Sequence, residues 1–308
     1  MRLLPALLLA LAGALPCQAA TPPAPAAVQV VTIPYMEREA PHRVYADRLL
    51  ALALSLSSDR YGPYRLEQQK QESVIRRQLL ELEPGGTLSV AVAMPSAEWL
   101  ERARAVRFPL MKGLSSFRFF LGSKANQPLY DGVHHIEDLK RLSIGQSPGW
   151  STIKPLQDSG FRVGIGGAHA TLIPMLQSGR FQLLMRSVFE VGPELQAHQR
   201  QQPDLMIVDD FTVFTYMPMY YFVARDQPRL AERIEYGLKL AHASGKLDRL
   251  FVQYFGASLA LLKHRQLKVF RIPNTNIDPG FFQRDRPFLL DAVIAAELSA
   301  APGTAGAR

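Results

Sequence analysis

Between residues 28 and 93 the chain alternates short apolar runs with amphipathic stretches, and this alternation constrains the fold more than any other feature. Residues 28–33 are a mostly β-branched run stopped by Pro34. Residues 45–56 place Leu49, Leu50, Leu52, Ala53 and Leu56 at helical spacing, and residues 64–70 read as extended. Residues 73–82 form an amphipathic helix closed by Pro84, Gly85 and Gly86, and residues 88–93 are apolar again. Strand, helix, strand, helix, strand predicts a parallel sheet covered by helices, because each parallel step needs a connection long enough to hold a helix.

A second cycle follows. Strands are expected at 117–121, 142–145, 162–165 and 181–185, with helices at 136–141, 151–159 and 169–178 between them. Residues 220–224 read as a further strand. From 228 to 255, Leu230, Ile234, Leu238, Leu240, Leu247, Leu250 and Phe251 mark long amphipathic helices. Periodicity fades after about Asn274, and the final APGTAGAR reads as a frayed end. The fold class is α/β, and the 308 residues suffice for one large domain or two lobes.

The N-terminus is set apart from this pattern. Arg2, an apolar stretch from Leu3 to Leu15, and the small residues Cys17, Ala19 and Ala20 make residues 1–20 a secretory signal peptide. The apolar stretch is shorter than the roughly 20 residues that a membrane span needs. Pro16 disfavours lipidation of Cys17, the single cysteine of the chain. Cleavage would leave a mature protein without a thiol, so no disulfide, thiol nucleophile or cysteine metal site is expected. Residues 21–27, TPPAPAA, form an extended tether. The formal charge of +8 is scattered rather than blocked, which favours an anionic ligand only weakly.

Several motifs carry possible chemistry. Gly145-Gln146-Ser147-Pro148-Gly149 fits the G-x-S-x-G pattern, with Asp209 or Asp210 and His242 or His264 downstream. That elbow builds its oxyanion hole from the N–H after the serine, and Pro148 has none, so a plain strand-to-helix turn is the better reading. The seven histidines lack metal-site spacing, and neither a metal nor any other cofactor is expected. Gly164, Gly166 and Gly167 lack the third glycine of a dinucleotide loop and a Walker lysine; they read as tight-turn residues. Nucleic-acid binding would need a basic stripe interleaved with aromatics, and an exported protein is not expected to meet that partner.

Polar residues at strand ends remain. Gly149, Trp150, Ser151 and Thr152 open an expected helix whose first N–H groups suit a carboxylate or phosphate, or are simply capped by Ser151 or Thr152. Arg102, Arg104, Arg107, Lys112 and Arg118 stand against Glu98 and Glu101, and one arginine of this group is a candidate bidentate clamp.

In this order and spacing the chain resembles the family 3 periplasmic solute-binding proteins, which include the histidine- and lysine/arginine/ornithine-binding proteins. The likeness covers roughly residues 28–256. It is carried by Glu101-Arg102 before Phe108-Pro109, by His135-Ile136-Glu137-Asp138-Leu139-Lys140 with Ser143-Ile144-Gly145, by Leu176-Gln177-Ser178-Gly179-Arg180-Phe181, and by Ala243-Ser244-Gly245-Lys246-Leu247 with Tyr254-Phe255-Gly256. The resemblance implies the type 2 fold: two lobes, each a mostly parallel sheet flanked by helices, joined by two crossover strands. Residues 28–117 and 220–275 would form the first lobe, 118–219 the second, and 276–308 a C-terminal tail.

It further implies that Arg102 holds a ligand carboxylate, that Gly149, Trp150 and Ser151 offer N–H donors, and that Tyr35 packs an aromatic ring against the solute. Two positions depart from the family. Gln182 replaces an aspartate after Gly-Arg-x, and Ser187 stands where amino-acid binders place the aspartate that pairs with the ligand ammonium. An unpaired ammonium would cost about 1–3 kcal/mol or more when buried. Glu190 is the candidate substitute; otherwise the solute is more anionic than an ordinary amino acid, as Arg186 nearby hints. The expected mechanism is closure of two lobes on a small-molecule solute, in a periplasmic monomer that serves an inner-membrane transporter or sensor. The aromatic cluster Phe211, Phe214, Tyr216, Tyr220 and Tyr221 either packs the hinge or faces the cleft, core packing being the commoner fate of such residues. The alternative is a dehydratase-like enzyme on the same fold with Glu190 as acid or base.

Overall fold

The computed structural model describes residues 27–35, 40–263 and 266–299; the expected signal peptide and most of the tether lie outside the described residues. The chain begins with β1 (Gln29–Tyr35), α1 (Pro41–Leu56), α2 (Ser58–Tyr61), β2 (Tyr64–Glu72), α3 (Ile75–Glu81), β3 (Val90–Ala93), α4 (Ala97–Arg102) and β4 (Ala103–Val106). The second cycle is β5 (Phe117–Ser123), α5 (Gln127–Asp131), α6 (Ile136–Lys140), β6 (Ser143–Gln146), α7 (Ile153–Asp158), β7 (Arg162–Ile165), α8 (Leu172–Gln177), β8 (Leu183–Ser187), α9 (Val191–His198) and β9 (Leu205–Phe214). It returns through β10 (Tyr220–Ala224), α10 (Pro228–Ala243) and α11 (Lys246–Leu261), then β11 (Lys268–Arg271), α12 (Gly280–Asp285) and α13 (Asp291–Leu298).

Two lobes result. In the first, β1 and β2 pair in parallel, while β10 lies between β3 and β4 and runs antiparallel to both. The Ser89 N–H donates to the Thr32 carbonyl at 2.9 Å, which sets β3 beside β1. The lobe is therefore mixed rather than all parallel, because the returning strand β10 comes in from the hinge instead of through a helical crossover. In the second lobe the order is β11-β9-β5-β8-β6-β7, with β5 antiparallel to β8 and β9.

Helix α10 buries Leu230, Ile234, Leu238 and Ala241 along one stripe. It crosses α1 at Gly237, where a Cβ would meet the Ala53 carbonyl oxygen at 2.0 Å, so only glycine allows this approach. The fully buried Arg233 on the same helix donates to the Leu54 and Gly62 carbonyls and to Gln29. In the second lobe all seven residues of β5 are buried, and its phenylalanines reach across to β9 through the pairs Phe117–Phe214 and Phe120–Phe211. Each such side chain contributes about 1.5–3 kcal/mol by burial.

Three expectations change. Residues 205–214 form a ten-residue strand that the pattern does not reveal, because Asp209 and Asp210 interrupt the apolar run; the pair sits where the register between β5 and β9 shifts. Residues 268–271, expected in the first lobe, complete the sheet of the second. The C-terminal tail is not without structure: α12 and α13 form there. Helix α12 is too short to show a period, and the consecutive apolar residues Ala292–Ala296 of α13 leave no polar face to mark one. The aromatic cluster is packed as expected: Phe211, Phe214, Tyr216, Tyr220 and Tyr221 are all buried.

Candidate functional site

The two lobes meet around Glu190. Its position follows from β8, which ends at Ser187, and from the turn that carries the chain into α9. The carboxylate folds back on this turn: Oε2 accepts from the Ser187 N–H at 2.8 Å and Oε1 from Arg186 Nη2 at 3.1 Å. Arg186 also reaches Glu194 at 2.5 Å, and Glu194 in turn meets His169 Nε2 at 3.1 Å. The guanidinium of Arg186 lies over the Trp150 ring, 4.6 Å from its centroid, an arrangement that favours a flat, weakly hydrated cation.

Arg118 comes from the neighbouring strand, where it is the register partner of Ser187. It is 6% exposed, and among the described residues its side chain donates to the thioethers Met217 Sδ at 3.3 Å and Met94 Sδ at 3.9 Å. Thioethers are weak acceptors, so this buried cation has a charge partner in Glu190 but only weak hydrogen-bond acceptors among the described residues. Arg118 Nε, Arg186 Nε and the Ser187 hydroxyl are all buried with no hydrogen-bond partner. Natural interiors rarely leave such groups unpaired. Three unpaired donors stand beside Glu190 and Glu194, against one unpaired acceptor among the described residues there, Glu194 Oε2; that excess of donors suits a ligand rich in acceptor oxygens.

The first lobe closes the cluster. His42 and Arg43 open α1, with the His42 ring against Phe189 at 5.1 Å and Arg43 donating to the Val92 carbonyl at 3.3 Å. Met94 accepts from the Ser151 hydroxyl at 3.1 Å as well as from Arg118, so one side chain of the first lobe touches two residues of the second.

The charges are mutually dependent. Burial opposes ionisation of Glu190, but Arg186 and Arg118 outweigh it and hold the carboxyl below its ordinary range. Burial lowers Arg118 to about 10, with Glu190 opposing and Arg186 adding to the effect, so it stays charged at neutral pH. Burial also pushes His42 down to about 4; Glu190 opposes this, while Arg43 and Arg186 assist. His42 is therefore neutral at pH 7. From its ordinary 6.5 down to about 4 the unfolded chain binds a proton that the folded chain does not. Over that window this group is expected to lower stability by about 1.4 kcal/mol for each pH unit of acidification. Urea unfolding of His42→Phe at pH 7, 6 and 5 should show a shallower decline than the parent, and parallel curves would refute the assignment.

Of the residues singled out in the sequence, Trp150, Ser151, Ser187 and Glu190 come together here. Gly149 stands in the adjoining turn with φ +81°, a conformation suited to glycine. The helix begins at Ile153 rather than Ser151, and the Trp150 N–H is already given to the Ser147 carbonyl at 3.2 Å. Trp150 thus offers its ring, not its amide. The Ser147 hydroxyl donates to the Gly167 carbonyl at 3.1 Å, in keeping with a plain turn. Arg102 stands elsewhere, bound to Glu83 and to Glu98, the latter at 2.9 Å; its charge is engaged on the surface of the first lobe. Tyr35 ends β1 with 37% of its surface exposed and joins none of these polar contacts. His42, Arg43 and Met94 are residues that sequence reasoning did not place in the site, and Arg118 stood among the candidate clamps without being distinguished from the others. A lone arginine inside FRFFLG was the available signal for Arg118.

No protein-family model matches the chain, and no curated protein matches it. Solved structures do. A probable amino-acid ABC transporter extracellular-binding protein of Bacillus subtilis is 16% identical with a TM-score of 0.54, over 75% of this chain and 99% of that one. An arginine-specific periplasmic binding protein of Salmonella typhimurium is 16% identical with a TM-score of 0.53, over 74% and 100%. An ancestral amino-acid-binding protein, a precursor of cyclohexadienyl dehydratase, is 14% identical with a TM-score of 0.51, over 73% and 95%. The chain has the two-lobed type 2 periplasmic-binding fold. At these identities the likeness defines architecture, and the solute must be argued from the residues of the site.

Proposed function

We propose that the protein is an exported solute-binding protein that closes its lobes on a small anionic solute and presents it to a membrane transporter or sensor. The observation that carries this reading is the buried Arg118, whose hydrogen bonds among the described residues go to thioethers, beside the unpaired Arg186 Nε and Ser187 hydroxyl. Both oxygens of Glu190 are already engaged by Arg186 and by the Ser187 amide. A ligand ammonium would have to share that carboxylate with an arginine, whereas a carboxylate or other oxyanion meets donors that have no partner.

A thermal-shift screen of the mature protein tests this with matched pairs: succinate against aspartate, and 2-oxoglutarate against glutamate. The member without the amine should raise the melting temperature more, since a solute at 100 times its dissociation constant adds about 2.7 kcal/mol. Larger shifts with the amino acids would overturn the anionic assignment, and no shift with any small solute would count against capture itself. In the dehydratase-like alternative Glu190 would act as acid or base. Arginine neighbours that keep it ionised favour binding over proton donation. Turnover of a substrate, lost in Glu190→Gln, would support the enzyme instead.

A further inference from the structure

The C-terminal segment does more than complete a sheet. After β11 the Ile272 N–H donates to the Phe214 carbonyl at 2.9 Å, bringing the chain to the crossover between β9 and β10. There Asn274 Nδ2 donates to the Tyr216 carbonyl at 2.8 Å, and Asn274 Oδ1 accepts from the Asn276 N–H at 3.0 Å. Asn276 Nδ2 then donates to the Ser151 carbonyl at 2.7 Å. Thr275, between the two asparagines, bonds to Asp158 at the end of α7. An unbroken line of hydrogen bonds thus joins the hinge at Tyr216 to the turn that carries Trp150 and Ser151.

The far end of the segment is anchored to the hinge and the first lobe. Tyr216 and Tyr220 both donate to the buried Asp285 of α12, Tyr216 at 2.6 Å. The Leu290 N–H donates to the Lys112 carbonyl at 3.1 Å, and Val293 packs where a Cβ on Gly113 would lie. The segment therefore touches the second lobe, the crossover and the first lobe in succession. A contact of this kind bears directly on the angle between lobes, since a hinge moves only as far as its crossing segments allow.

We infer that Asn274 and Asn276 are positioning residues: a strut that holds the 147–152 turn in its closed place and so sets how firmly the site grips. The purpose assigned to the strut rests on the solute-binding reading; its geometry does not. Asn276→Asp keeps the shape of the side chain but removes the donor to Ser151.

In the full mature chain without added solute, hydrogen exchange at residues 150–153 is expected to quicken about fivefold, the effect of losing one ordinary hydrogen bond. The radius of gyration should rise, with the melting temperature lowered by no more than about 4 °C. With succinate as probe, the dissociation constant should weaken by about the same factor, mainly through faster release. Thr275→Val, which cuts the arm to Asp158, provides a second variant should Asn276→Asp fold poorly. Unchanged exchange and an unchanged radius of gyration in the folded variants would overturn the strut, even if succinate still binds. If both change while no solute binds either protein, the strut stands and the solute-binding reading falls.

Discussion

Arg118→Met is expected to abolish solute binding while costing the ligand-free protein less stability than Glu190→Ala does. The hydrogen bonds of Arg118 go to two thioethers, Glu190 keeps Arg186 as a counter-charge when Arg118 is lost, and exchanging buried ionic groups for apolar ones of similar size is often neutral or favourable. The surroundings already suit the replacement, because Met94 and Met217 would pack against a third methionine. Binding is another matter. Losing the charged partner of a buried oxyanion costs about 2–5 kcal/mol, which corresponds to a loss of affinity of about 30- to 5,000-fold. Calorimetry with the best anion from the screen, paired with a thermal melt, measures both effects. A variant that melts several degrees lower and still binds would show that Arg118 is structural.

Glu190→Ala should behave in the opposite way. Here the removed group is the common counter-charge of Arg118 and Arg186, and taking one partner from a buried charge cluster costs about 3–5 kcal/mol. Because the carboxyl titrates below its ordinary 4.5, its contribution is present in full above that value and is lost as the pH falls through the lower folded value. The stability gap between parent and variant is therefore expected to be constant near neutrality and to narrow in acid below about pH 4. Denaturant titrations at pH 7 and pH 3.5 measure it. An equal gap at both would mean that Glu190 supports the turn by packing rather than by charge.

How far the sequence discloses this arrangement depends on distance along the chain. Short apolar runs such as 220–224 announce themselves, because a buried strand needs nothing beyond its own residues. Glu190, Ser187, Trp150 and Ser151 are legible through the order of the surrounding motifs. His42 and Met94 are not: each faces a partner more than fifty residues away, and nothing local distinguishes them from residues of an ordinary helix start or strand end. Arg102 and Arg118 illustrate the same limit. Both are arginines of one basic stretch, and only the fold reveals that glutamates neutralise the first while the second is buried beside the junction.

The placement of β10 and β11 also governs when the molecule can assemble. The middle strand of one sheet and the edge strand of the other both come from the last third of the chain. A polypeptide growing from its N-terminus completes the first of these sheets only at residue 224 and the second only at residue 271, and long-range pairings of this kind form slowly. Folding is thus a late event for each half, one waiting on residue 224 and the other on residue 271.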